Sequence, residues 1–167
     1  QLVLADGSGL GTTALTSQVI TGGGPGDTLD NIDNTISGYG ELGAGQLTLL
    51  NQADGTIEAT IGTLVVNTGA APLANHGLLE AVGGTLVLQT VVDNAGGGRL
   101  AATNAGTVAG IVLLDGGTLD GGTVSTAASD VSFTSAMNEF DSGGNATRAA
   151  CGRIARRSAW PRVIPIE

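Results

Sequence analysis

A chain of 167 residues is long enough for one domain with a continuous core, and its 41% apolar content excludes simple disorder. Its 29 glycines show no Gly-X-Y order, which excludes collagen and calls for many tight turns, while 2% aromatic content leaves the core to Leu, Ile, Val and Ala. Residues 1–147 hold 14 acidic side chains against Arg99 alone, a net of −13, and with no lysine anywhere a nucleic-acid partner is excluded, because phosphate neutralisation needs clustered cations.

In chain order, residues 1–27 fit one irregular turn of a repeat. Asn34-Thr35-Ile36-Ser37-Gly38 comes 21 residues before the strand-like Thr56-Ile57 and predicts a second turn. Leu47-Thr48-Leu49 leads to Asn51, and then Gly55-Thr56-Ile57-Glu58-Ala59 opens a unit echoed by Gly77-Leu78-Leu79-Glu80-Ala81 and Gly98-Arg99-Leu100-Ala101-Ala102. Between these copies Gly62-Thr63-Leu64, Gly84-Thr85-Leu86 and Gly106-Thr107-Val108 recur every 22 residues. Pro72-Leu73-Ala74 precedes Asn75, and Val91-Val92 precedes Asn94. Gly117-Thr118-Leu119 and Gly122-Thr123-Val124 continue the style at looser spacing, and regularity fades after about residue 135.

A unit this short, rich in glycine and β-branched residues, cannot bury an apolar face alone and must stack on copies of itself. Each copy alternates with period two, so Ile57, Leu79, Leu100, Leu64, Val66, Leu86 and Leu88 are predicted to face inward while Thr56 and Glu58 face out. Three short strands per 22 residues with glycine or asparagine corners predict an all-β chain, a three-sided parallel β-helix of about six or seven rungs. Its hand is expected to be right, the general chirality of parallel crossovers. The corner asparagines Asn51, Asn75 and Asn94 are expected to bond from rung to rung, since Asn tolerates turn backbone and forms ladders. The solenoid is assigned to 1–135 and an irregular segment to 136–167. From Arg148 the composition turns basic, with five arginines against Glu167, the lone Cys151 (no intrachain disulfide) and Trp160. That stretch is either a cap on the last rung or a segment not native to this fold; deleting 148–167 raises self-association in the first case and changes nothing in the second. No apolar run approaches the ~20 residues of a membrane span, so membrane insertion is not expected. With no initiator Met and no leader at Gln1, the chain reads as a piece of a longer protein.

The run Gly26-Asp27-Thr28-Leu29-Asp30-Asn31-Ile32-Asp33-Asn34-Thr35-Ile36-Ser37-Gly38-Tyr39-Gly40-Glu41-Leu42-Gly43, with the Leu47 to Ala59 unit after it, resembles blocks of bacterial autotransporter and filamentous-haemagglutinin-like surface proteins. The resemblance covers about residues 20–126. It implies a right-handed parallel β-helix passenger displayed extracellularly or on the cell surface, adhesive or spacing in role, with a host or environmental glycan or protein as receptor. It supplies no catalytic motif, and residues 148–167 do not match it.

Candidate chemistry is sparse. Gly22-Gly23-Gly24-Pro25-Gly26-Asp27-Thr28-Leu29-Asp30 is one residue short of the calcium nonapeptide of β-rolls and occurs once, so an ordinary glycine corner is expected. Glu58 and Glu80 are predicted neighbours on one outer face, with Arg99 one rung further and one column across. A catalytic carboxylate pair must flank a substrate cleft, and a convex ladder provides none. His76 reads as a polar turn residue, and Asp54, Asp93, Asp115 and Asp120 lie scattered over corners. Thr63, Thr85 and Thr107 suggest a threonine column, beside companions Val65, Val87 and Ala109 that deny it the second column of an ice-binding face. Asn145-Ala146-Thr147 fits a glycosylation acceptor, and the arginines near Cys151 favour its thiolate. No catalytic, cofactor-binding or metal residue is assigned. The expectation is a non-enzymatic structural or adhesive segment of a large cell-surface or secreted protein that self-associates through its exposed β-helix ends; the alternative is a carbohydrate-active β-helix.

Overall fold

The computed structural model describes residues 1–4 and 18–126, and all the secondary structure in them is β. The strands are β1 (Leu2–Leu4), β2 (Val19–Thr21), β3 (Thr28–Asn31), β4 (Thr35–Gly43), β5 (Thr48–Asn51), β6 (Thr56–Val66), β7 (Leu73–Asn75), β8 (Leu78–Val82), β9 (Thr85–Leu88), β10 (Val91–Asp93), β11 (Arg99–Thr103), β12 (Ile111–Leu114), β13 (Thr118–Asp120) and β14 (Thr123–Thr126). Every strand pair is parallel. This is a β-solenoid of about 22 residues per turn. The described residues complete five turns and start a sixth at β14, and the assigned solenoid end at residue 135 and the segment 136–167 lie outside them.

Each turn carries three strand columns. The first stacks β1, the start of β4, the start of β6, β8, β11 and β14; the second stacks β2, the ends of β4 and β6, β9 and β12. The third stacks β3, β5, β7, β10 and β13. β4 and β6 run round the corner between the first two columns, β4 with a register shift between Gly38 and Gly40. There Gly38 takes φ +128 with the Leu4 carbonyl packed where a Cβ would stand, so any side chain would both strain the backbone and collide with the neighbouring rung.

The predicted parity holds because a one-residue slip would expose every inward aliphatic. Ile36, Ile57, Leu79 and Leu100 occupy successive partner positions in the first column; Leu42, Val66, Leu88 and Leu114 do so in the second; Leu49, Leu73, Val92 and Leu119 line the third. Ile57, Leu64, Val66, Leu79, Leu86, Leu88 and Leu100 are completely buried. Each such side chain contributes about 1.5–3 kcal/mol of transfer free energy, so the stack rather than any one turn holds the fold.

The 22-residue count fails once. Thr63 pairs with Thr85 as expected, but Thr85 pairs with Ile111, 26 residues on, not with Thr107. Gly106 and Thr107 instead form the tip of a small exposed hairpin closed by an antiparallel bridge between Ala105 and Val108. The third threonine of the expected column is therefore Ile111, and the companion of Val65 and Val87 is Leu113 rather than Ala109. The cause is burial: Ile111-Val112-Leu113-Leu114 puts Val112 and Leu114 inward over Leu86 and Leu88, whereas Thr107-Val108-Ala109 offers one aliphatic of moderate size. The later Gly-Thr units also change column, with Thr118-Leu119 continuing the Val91-Val92 strand and Thr123-Val124 continuing the Arg99-Leu100 strand.

Candidate functional site

The strongest polar constellation is internal. Asn31, Asn51, Asn75 and Asn94 end successive strands of the third column or directly follow them, and they stack inside the corner at 0–3% exposure. Each amide donates upward: Asn31 Nδ2 to Asn51 Oδ1, Asn51 Nδ2 to Asn75 Oδ1 and Asn75 Nδ2 to Asn94 Oδ1, all at 2.7 Å. The remaining amide hydrogens reach backbone carbonyls, those of Gly55 and Leu78 for Asn51 (both 3.2 Å) and of Gly77 and Arg99 for Asn75 (3.3 and 3.4 Å). The ladder stops at Asn94, whose buried Nδ2 has no partner among the described residues; Gly121 follows Asp120, the partner of Asp93, in the next strand and carries no side chain. The sequence pointed to Asn51, Asn75 and Asn94 but passed over Asn31. The signal was there, since Asn31 follows Thr28-Leu29 as Asn51 follows Thr48-Leu49, in full register. A second, shorter ladder was not foreseen: buried Thr68 and Thr90 share a hydroxyl hydrogen bond at the corner between the second and third columns, and Thr68 also donates to the Ala71 carbonyl. Both ladders satisfy buried polar groups and tie rung to rung.

On the outer surface, Glu58 and Glu80 are direct Cα partners, as the parity required. At the ~4.8 Å strand spacing two carboxylates repel. The Glu58 carboxyl is held above the ordinary carboxylate range, first by partial burial and then by the Glu80 charge. Glu80 accepts a hydrogen bond from Thr103 Oγ1 at 2.9 Å. Arg99 lies one strand on but opposite Leu78, two residues along the strand from Ala101, the partner of Glu80, as expected. The pair stacks along one strand face rather than across a gap.

Asp93 and Asp120, which the sequence scattered over separate corners, are also direct partners on an outer face, both exposed. Among the described residues no group of three or more His, Cys, Asp or Glu side chains converges. In the Gly22–Asp30 segment the Asp27 carboxylate accepts the Gly23 N–H at 2.7 Å and the Asp27 N–H donates to the Gly24 carbonyl at 3.1 Å, a glycine-rich turn closed by its own aspartate. His76 is exposed at its corner with its ring over Gly96. Asp54 is an exposed turn residue, and Asp115 accepts from Gln89 Nε2 at 2.9 Å. Asn145 and Cys151 lie outside the described residues. No helix of the described residues is long and apolar enough to cross a membrane. Comparison of the chain with known protein families, with curated proteins and with solved structures gives no match.

Proposed function

We propose that this chain is a non-enzymatic structural and adhesive segment of a large bacterial cell-surface or secreted protein, a stiff rod whose sides present side chains to a glycan or protein receptor. The observation that supports this reading most is the continuous stack: three inward aliphatic columns and a four-membered asparagine ladder run through successive turns. A spacer needs such stiffness, because every rung is bonded and packed to the next. The resemblance of residues 20–126 to autotransporter and filamentous-haemagglutinin-like passengers supports the adhesive role and the extracellular location.

The alternative is a carbohydrate-active solenoid, and one observation favours it. The Glu58 carboxyl is raised, first by partial burial and then by the Glu80 charge one strand away, the direction a general acid needs, on a pair that lies along one strand face. Glycan and protein arrays combined with reducing-sugar and unsaturated-product assays separate the two. Binding without turnover is the expected result. Turnover that disappears in Glu58→Gln or Glu80→Gln would replace the structural reading with the enzymatic one.

A further inference from the structure

We propose that the two ends of the solenoid bind each other, so that copies of this chain associate head to tail by continuing the parallel stack. Among the described residues, β1, β2 and β3 at one end are each paired on one side only, and so are β12, β13 and β14 at the other. An unpaired strand edge presents a row of N–H and C=O groups that another strand can complete. Of the devices that usually block such edges, lysine is absent from the chain, proline is absent from these six strands, and the register shift among the described residues lies in β4. At the first end the apolar side chains are also uncovered, with Leu2, Val3 and Val19 at 46%, 55% and 51% exposure and the inward Ile20 and Leu29 only partly buried.

The occupant that fits is a second copy, because the stack is built like on like. Thr28 lies over Thr48, Leu29 over Leu49 and Asn31 over Asn51, so the partner these edges already accept is a strand of this chain's own pattern. The ends match in column as well. Leu2 and Val124 both belong to the inward column through Ile36, Ile57, Leu79 and Leu100, and Val3 and Ser125 both belong to the outward column beside it. Laying β1 of one copy on β14 of the next therefore sets Leu2 against Val124 and Val3 against Ser125, while the same register in the third column sets Asp30 against Asp120, a carboxylate pair of the kind Asp93 and Asp120 already form within the chain. A head-to-tail contact does not close on itself and yields an open series. The net charge of −9 opposes it, so screening favours it.

Sedimentation velocity of the whole chain over a hundredfold concentration range, in 0.05 and 0.5 M salt (about 14 and 4 Å of screening length), tests this. Expected is a concentration-dependent series beyond dimer, stronger at high salt. The variant Val3→Lys/Val19→Lys, which puts charged side chains on two exposed edge positions, is expected to sediment as monomer with an unchanged circular dichroism spectrum. Val91→Lys is the control: Val91 is comparably exposed (48%) but sits on β10, paired on both sides, and its loss should leave the series intact. A monomer at all concentrations overturns the proposal, as does a discrete dimer that grows no further. Equal suppression by Val91→Lys would assign the association to the sides of the rod and also overturn it.

Discussion

Replacing Asn75 by alanine should damage this protein far more than the same replacement at Asn94, although the two side chains are equally buried, at 0% exposure. Asn75 stands mid-ladder: it accepts from Asn51 at 2.7 Å, donates to Asn94 at 2.7 Å and donates more weakly to the Gly77 and Arg99 carbonyls. Its loss removes two strong buried hydrogen bonds, each worth about 1 kcal/mol net, and strands the Asn94 oxygen, at a further cost of about 1–3 kcal/mol. The total is about 3–5 kcal/mol, among the larger values seen for single substitutions. Asn94→Ala removes one ladder bond, but it also removes an amide donor that has no partner among the described residues, and Asn75 Nδ2 keeps its two carbonyls. About 1 kcal/mol is expected there. Urea unfolding followed by circular dichroism, with m unchanged between variants, measures both. If Asn94→Ala costs as much as Asn75→Ala, the ladder is not the directional chain of donors described here.

Other consequences follow from single features. Glu58 binds its proton more tightly folded than unfolded, so stability falls as pH rises from the ordinary carboxylate range through its raised value; unfolding midpoints should increase as pH is lowered from 7 towards the ordinary carboxylate range, and Glu58→Gln should flatten that slope and raise stability at pH 7. Leu79→Ala, at a fully buried position between Ile57 and Leu100, should cost about 2–5 kcal/mol by the same unfolding assay. Deleting Asn104–Thr107 restores a 22-residue spacing between Thr85 and the Ile111 strand, and since residues 104–109 are all exposed, the change in stability should stay within about 1 kcal/mol.

How much was legible can be judged residue by residue. The alternation around Ile57, Leu79 and Leu100 announced both the strands and their inward face, because a strand side chain has only two faces and one of them must be dry. The asparagines announced their own ladder for the same kind of reason: a polar residue at a fixed offset after each apolar strand, in a repeat that stacks, meets its own copy. Glu58 and Glu80 became neighbours by parity alone. The third Gly-Thr unit misled because a tripeptide match carries no burial energy. Thr107 matched Thr63 and Thr85 in letters, but Ile111 to Leu114 supplied two inward aliphatics, and core packing moved the strand four residues along and extruded the hairpin. Asp93 over Asp120, the Thr68–Thr90 bond and the Asn94 amide, unpartnered among the described residues, depend on corner lengths that vary from turn to turn, 24 residues from Asn51 to Asn75 and 19 from Asn75 to Asn94. Periodicity in the sequence thus determined the repeat, its inward face and its like-on-like stacking; the tertiary structure alone decided which rung each corner residue meets, because that register is set by how the aliphatic columns close around one another.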